Sequence, residues 1–265
     1  MKMEKVEQGA GKTAQNDGLL TFPSPKVTVV TVTYNALDFV EETLQSVLSQ
    51  TYPDIEYIVV DGHSTDGTQE SVARYADRLA VFISEPDNGI YDAMNKGIDL
   101  ATGEWIIFMN AGDTFADHET VSKVFAREID SSIDFIYGDH IWKDDRRSVR
   151  VRTRPLHLMW QRIAFSHQSL FSRTSLMKRK KFDLRYRIVS DYNFYFSCYM
   201  EGSRFLRVDF PVSVFLAGGV SNECLFRRTY ERWSVVRRYK NTPRVHLYYL
   251  FHISAFYLKK IMTGR

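Results

Sequence analysis

From Val27 to Val32 the chain reads VTVVTV, apolar or β-branched at every position, as in a strand buried on both faces. Asn35 can cap a helix, and beyond it Leu37, Val40, Leu44, Val47 and Leu48 recur at intervals of three and four, one apolar helical stripe. Pro53 ends that helix. Ile55 to Val60 predicts a second strand, Asp61 to Gly67 a loop, Thr68 to Ala76 a helix and Leu79 to Ile83 a third strand. After the turn Asp87-Asn88-Gly89, the residues Ile90, Ala93, Met94, Gly97, Ile98 and Ala101 line one helix face. Trp105 to Met109 is a fourth strand, ending at Asn110-Ala111-Gly112-Asp113. Strands and helices alternating in this way predict an α/β fold with a mostly parallel central sheet flanked by helices. Function in such sheets gathers at the carboxyl ends of the strands. Three polar loops fall there, Thr33-Tyr34-Asn35, Asp61 to Asp66 and Asn110 to Asp113, and topology brings them to one edge.

The second half is less regular. Ile133 to Ile141 and Ser148 to Arg152 read as two strands around the charged turn Lys143 to Arg147. Ile163 to Phe171 holds the polar set Ser166-His167-Gln168-Ser169. Ile188 to Tyr192 leads into an aromatic helix with Phe194, Phe196, Cys198 and Tyr199, and Phe205 to Phe215 reads as a strand interrupted by Pro211. Gly218-Gly219-Val220-Ser221 reads as a flexible loop. The pattern divides the chain into a disordered tail at 1–22, one α/β domain at 23–224 and a basic, aromatic helical extension at 225–265.

Charge sharpens that last boundary. The net charge is only +3, yet Leu225 to Arg265 carries ten Lys/Arg against the single acid Glu231, which leaves the remainder mildly acidic. A mildly acidic body argues against a nucleic-acid-binding protein, and no nucleic-acid module is recognisable. In the extension, Phe226, Tyr230, Trp233 and Arg237 recur on one side of a helix. Leu247 to Leu258 is apolar and aromatic and precedes Lys259-Lys260. Twelve residues are too few to span a bilayer, which needs about 20. The segment suits an anionic membrane interface, or a helix pair packed on the domain or across a homodimer.

Two cysteines, Cys198 and Cys224, exclude a disulfide scaffold and fit a reducing, cytoplasmic compartment. Glycine-rich dinucleotide and Walker loops, zinc spacings and Gly-x-Ser-x-Gly are all missing, which weighs against NAD redox chemistry, P-loop hydrolysis and serine hydrolysis. Four polar residues remain, each with two readings. Asp113 could hold Mg²⁺ or Mn²⁺ beside substrate phosphates, or cap a helix starting near Asp117. Asp61 could accept hydrogen bonds from a ribose or base, or close an Asx-turn before Gly62. His167 could face an oxyanion or pyrophosphate, or be a satisfied interior polar group. Asp191 could be a general base, or the cap of its own helix.

Five pieces in order carry a resemblance: Val29 to Asn35; Gln50-Thr51-Tyr52-Pro53; Val60 to Thr68; Glu85 to Gly97; and Ala101-Thr102-Gly103-Glu104-Trp105 followed by Phe108 to Asp113. Together they resemble the family 2 glycosyltransferases of the GT-A fold, in particular bacterial enzymes of exopolysaccharide, colanic-acid-like and O-antigen (lipopolysaccharide) assembly. The resemblance implies inverting sugar transfer from a nucleotide-diphosphate sugar to a lipid-linked saccharide, on a polyprenyl-diphosphate carrier at the inner face of the cytoplasmic membrane. It implies Thr33, Tyr34, Asn35 and Asp61 around the nucleotide, and Asp92, Asn95, Lys96, Asn110, Ala111 and Gly112 beside the donor sugar or diphosphate. His167 and Gln168 would face the pyrophosphate or acceptor, Asp113 would be the metal ligand and Asp191 the base. Asn110 and Gly112 depart from the family's acidic pattern. That departure favours, as alternatives, a non-catalytic binding or scaffold protein on the same fold. A sugar-nucleotide pyrophosphorylase is the other alternative, but it would need an early glycine-rich phosphate loop.

Overall fold

The computed structural model describes residues 24–216 and 225–263. The predicted tail at 1–22 and the Gly218 to Ser221 loop lie outside the described residues. The first half runs β1 (Val27–Thr33), α1 (Leu37–Leu48), β2 (Ile55–Asp61), α2 (Thr68–Ala73), β3 (Val81–Ser84), α3 (Ile90–Leu100) and β4 (Trp105–Phe108). Next come the short β5 (Thr114–Phe115) and α4 (Thr120–Val124), then β6 (Phe135–Lys143) and β7 (Ser148–Val151). The chain continues through β8 (Leu170–Arg173), α5 (Thr174–Lys180), α6 (Ser190–Met200) and β9 (Phe205–Leu216) to α7 (Leu225–Tyr239) and α8 (Pro243–Thr263).

The strands form one sheet in the order β3-β2-β1-β4-β8-β6-β9-β5, with β7 on β6. Its parallel character belongs to the first half, where β1 pairs in parallel with both β2 and β4, and β2 with β3. Beyond β4 the pairings are antiparallel except β6 with β9. All seven residues of β1 are buried, as its unbroken apolar run predicts. Two cores result. One lies between the sheet and α1, around Val29, Leu44, Val59 and Trp105; the other lies under α3 and α6, around Val30, Met94, Phe135 and Tyr195.

Three local expectations are corrected. The second helix ends at Ala73 rather than Ala76, where a separate 3-10 turn at Ala76–Arg78 redirects the chain and delays β3 to Val81. Asn35 does not cap α1. It adopts φ 46°, and its Oδ1 accepts from Thr65 N at 2.9 Å. The helix N-terminus is satisfied from the neighbouring loop, where Ala36 N donates to Thr68 Oγ1 and Leu37 N to Asp66 Oδ2. Pro211 does not interrupt its strand. It lies opposite Asp139, where the β6–β9 register shifts, and a proline without an N–H is tolerated at such an irregularity.

The basic extension is part of the main core. Val235 and Val236 of α7 and Val245 and Tyr249 of α8 are buried with Tyr192 and Phe196 of α6. Its cations are accommodated over aromatic faces: Lys240 and Arg244 at 5.3 and 5.5 Å from the Trp160 ring, Arg238 at 5.6 Å from Tyr186. Trp233 Nε1 donates to His246 Nδ1 at 3.1 Å and ties the two helices together. The same helices leave Tyr230, Leu247, Leu250 and Phe251 exposed. Among the described residues no helix is long and apolar enough to cross a membrane.

Candidate active site

A cavity of about 770 Å³ opens at the carboxyl edge of β1 and β4 and is closed from the far side by the second half of the chain. Thr33, Tyr34, Asn110, Ala111, Gly112, Asp113, His167, Gln168 and Asp191 all line it. Five other predicted residues do not. Asn35 and Asp61 belong to the loops behind it. Asp61 is fully buried, its oxygens taken by Ser64 N at 2.9 Å, the Ser64 hydroxyl and Ser84 Oγ at 2.7 Å, so it shapes the β2 loop. Asp92 accepts from Asn88 N at 2.9 Å, and Asn95 is exchanged with the Phe182 backbone through both of its amide atoms. Lys96 is paired with Glu85 at 2.8 Å.

Consecutive residues hold the two carboxylates of the cavity. Gln168 Nε2 donates to Asp113 Oδ2 at 2.8 Å, and His167 Nδ1 lies 3.2 Å from Asp191 Oδ2. His167 Nε2 lies 3.1 Å from Asn110 Nδ2. One tautomer satisfies both histidine contacts, with Nδ1–H donating to Asp191 and Nε2 accepting from Asn110. The second Asp191 oxygen accepts from Tyr91 O–H at 2.9 Å and from Tyr192 N at 2.7 Å. Burial alone would raise the Asp191 carboxyl, but the contacts of His167, Tyr91 and Tyr192 outweigh it and hold it below the usual range. Asp191 is therefore ionised at neutral pH. Asp113 behaves in the opposite way: burial pushes it up to about 6, against the bonds from Gln168 and Leu216 N.

Asp113 is not a helix cap. Its oxygens accept from Gln168 and Leu216 N, and α4 begins after Glu119 with no side-chain cap. Gly112 has φ +98°, a left-handed conformation in which an acid would be strained, and this accounts for glycine at that position. Among the described residues, two buried oxygens on the cavity wall have no hydrogen-bond partner, Thr33 Oγ1 and Asn110 Oδ1. Among the described residues no group of three or more His, Cys, Asp or Glu could hold a metal. Asp113 and the orphaned Asn110 Oδ1 nevertheless supply hard oxygen donors, a sparse set of the kind that Mg²⁺ or Mn²⁺ completes with substrate phosphates and water. The site fits such an ion.

Tyr91 escaped the sequence reading, as did the arginines of the cavity wall: Arg152, Arg154, Arg187, Arg228 and Arg232. Tyr91 stands one residue from Asp92 and continues the inward stripe of α3 at Met94 and Ile98, a periodicity that could have found it.

A parallel α/β half with a polar loop edge, joined to a mixed half that brings a carboxylate over that edge, defines a nucleotide-sugar transferase architecture. The family model "Glycosyl transferase family 2" matches residues 28–196, and the chain belongs to that family. It is an inverting glycosyltransferase acting on nucleotide-diphosphate sugars. A PGL/p-HBAD biosynthesis glycosyltransferase of Mycobacterium bovis is 32% identical over 182 residues, 66% of this chain and 70% of that protein. The fold is similar to the mannosyltransferase PcManGT of Pyrobaculum calidifontis, solved with GDP-Man and Mn²⁺ (TM-score 0.66, 23% identity, covering 89% of this chain and 70% of that one). It is also similar to TarS of S. aureus, residues 1–349, solved with UDP (TM-score 0.63, 20% identity, covering 81% of this chain and 66% of that one). The chain thus spans about two thirds of that TarS segment.

Proposed function

We propose that the cavity passes one sugar from a nucleotide-diphosphate donor to a saccharide acceptor carried on polyprenyl diphosphate. In this reading the chain is cytoplasmic and rests on the anionic inner face of the cytoplasmic membrane through α7 and α8. The observation that carries the reading is the pair of orphaned buried oxygens, Thr33 Oγ1 and Asn110 Oδ1, sharing one cavity with Asp113 and Asp191. Buried polar atoms are ordinarily satisfied, and two unsatisfied ones at adjacent strand ends are explained by a polar ligand.

The donor's nucleotide lies against Thr33 and Tyr34, on loops that Asn35 and Asp61 hold in shape. Its diphosphate lies against Asn110 to Asp113, and Asp92, Asn95 and Lys96 support α3 from behind. Mg²⁺ or Mn²⁺ held by Asp113 and Asn110 Oδ1 would neutralise charge developing on the leaving diphosphate. That one relative in fold was solved with GDP-Man and Mn²⁺ supports the choice of ion. Asp191 takes the proton from the acceptor hydroxyl as that oxygen attacks the anomeric carbon from the face opposite the leaving group, which inverts the configuration. His167 and Tyr91 orient the carboxylate and keep it ionised.

A thermal-shift panel of UDP-, GDP-, dTDP- and CMP-sugars, each with and without Mn²⁺, tests this. One nucleotide should raise the midpoint by mass action, and chiefly with metal. Asp113→Asn should abolish the metal-dependent part of that rise. A flat panel on folded wild-type protein would overturn the reading in favour of a non-catalytic scaffold.

A further inference from the structure

Five arginines line the cavity: Arg152 and Arg154 beyond β7, Arg187 before α6, and Arg228 and Arg232 on α7. None comes from β1 to β4 or the loops that follow them. Among the described residues, Arg152, Arg154, Arg187 and Arg232 form no ion pair with a carboxylate. The acid on α7, Glu231, is already engaged by Arg227 at 2.8 Å and by Ile188 N at 3.1 Å. Arg232 lies 5.2 Å from the Tyr192 ring centroid, and its Nε is buried with no hydrogen-bond partner. Arg228 is one helical turn away, and burial together with the charge of Arg232 lowers its pKa. Like charges at that spacing repel, and partial burial strengthens the repulsion. An anion at this point would give the buried Arg232 Nε the partner it lacks, since guanidinium forks match phosphate oxygens.

The side of the cavity identifies which anion. Asp191 stands at the divide. Through His167 it connects to Asn110 and the strand ends where the donor is proposed to lie. Its neighbour Tyr192 faces α7 and carries Arg232. Arg232, over the ring next to Asp191, therefore faces the substrate that loses its proton to Asp191. The helix pair that supplies Arg228 and Arg232 also exposes Tyr230, Leu247, Leu250 and Phe251, an apolar neighbour suited to a hydrocarbon chain. We propose that Arg228 and Arg232, with Arg152, Arg154 and Arg187, form a subsite for the diphosphate of the acceptor's lipid carrier, separate from the donor diphosphate at Asp113. This rests on the transfer reaction proposed above and adds the place where the acceptor's charge is held.

The test uses the full chain in EDTA, titrated with farnesyl diphosphate, inorganic pyrophosphate and farnesol. Farnesyl diphosphate should bind without metal, more tightly than pyrophosphate, and persist when the nucleotide selected by the thermal-shift panel is saturating. Arg232→Gln should weaken it by about tenfold, and the Arg228→Gln/Arg232→Gln pair by more. Arg232→Lys should recover part of the loss, and Arg237→Gln, over Trp233 and outside the cavity, should change nothing. Unchanged nucleotide binding in each variant shows that it is folded. No binding, displacement by the nucleotide, indifference to both arginines, pyrophosphate binding as tightly, or farnesol binding as well as its diphosphate would each overturn the subsite. Failure of every nucleotide to bind the wild type would overturn the transfer reaction instead.

Discussion

The two walls of the cavity are built in different ways. The donor side comes from one continuous stretch, Val27 to Asp113, in which parallel strands deliver three loops to one edge. Its loop residue Asp61 is satisfied within the same stretch by Ser64 and Ser84, while Asn110 and Asp113, which face the cavity, are met from the second half by His167 and Gln168. The opposite side is collected from separate places: the exit of β7, the turn at His167, the start of α6 and the face of α7. Its groups are satisfied across long sequence distances or are left facing the cavity. A wall made by topology can be read locally, whereas a wall made by packing of distant segments exists only in the folded chain.

The sharpest break between the walls is at Asp191. Asp191→Asn keeps the size of the side chain and removes its basicity. Turnover should fall by roughly 10²–10⁴-fold. Nucleotide affinity should be unchanged, because the donor wall does not include the residue. Steady-state rates beside a nucleotide titration separate the two. A variant with near wild-type turnover would dismiss Asp191 as the base, and one that lost nucleotide binding as well would mean that the walls do not act independently.

Legibility follows the same division. The strands and helices of the first half were readable because each carries its own period, and the departures are small shifts at α2 and β3. Asn35 was misread because a polar residue before a helix reads as a cap. The distant loop at Asp66 and Thr68 took that task, which left Asn35 to a left-handed turn. Within α3 the resemblance pointed to Asp92, Asn95 and Lys96, whereas the apolar stripe already turned the 91/94/98 face inward. Tyr91 is on that face and bonds Asp191, 100 residues away. The arginine wall had no local signal. The positive charge of the extension was countable, but its aromatic pattern suited a membrane surface as well as a packed helix pair, and only packing shows Arg228 and Arg232 turned to the cavity.

Glu56 sharpens the comparison from the donor side without touching the cavity. It is buried on β2, where it accepts from Thr28 Oγ1 and Thr102 N at 2.6 Å each and meets Lys26 at 3.2 Å. Burial raises its carboxyl, but the bonds from Thr102, Thr28 and Lys26 outweigh it and bring it down from 4.5 to about 2. A depressed folded-state pKa adds stability that is complete above the unfolded value and declines as pH falls toward the folded one. Glu56→Gln also sets an amide N–H against groups that already donate. It should cost on the order of 2 kcal/mol at pH 7. The gap to wild type should narrow between about pH 4.5 and 2 in denaturant titrations. A gap independent of pH would mean that packing, not the charge, is what Glu56 supplies.

The smallest expected effect lies at the far end of the other wall. Leu247 and Phe251 are 68% and 70% exposed on α8, one turn apart, while Val245 and Tyr249 on the same helix are buried in the core. Replacing both exposed residues with serine removes apolar surface that folding does not use, so stability should stay within about 0.5 kcal/mol of wild type. If that face meets lipid, binding to vesicles containing anionic phospholipid should drop by about tenfold, and binding to neutral vesicles should be weak in both proteins. The two readouts must separate for the membrane role of the extension to stand. A loss of stability would assign the face to packing against this chain or a second copy. Unchanged vesicle binding would leave α8 as a clamp that holds α7, and with it the arginine wall, over the base.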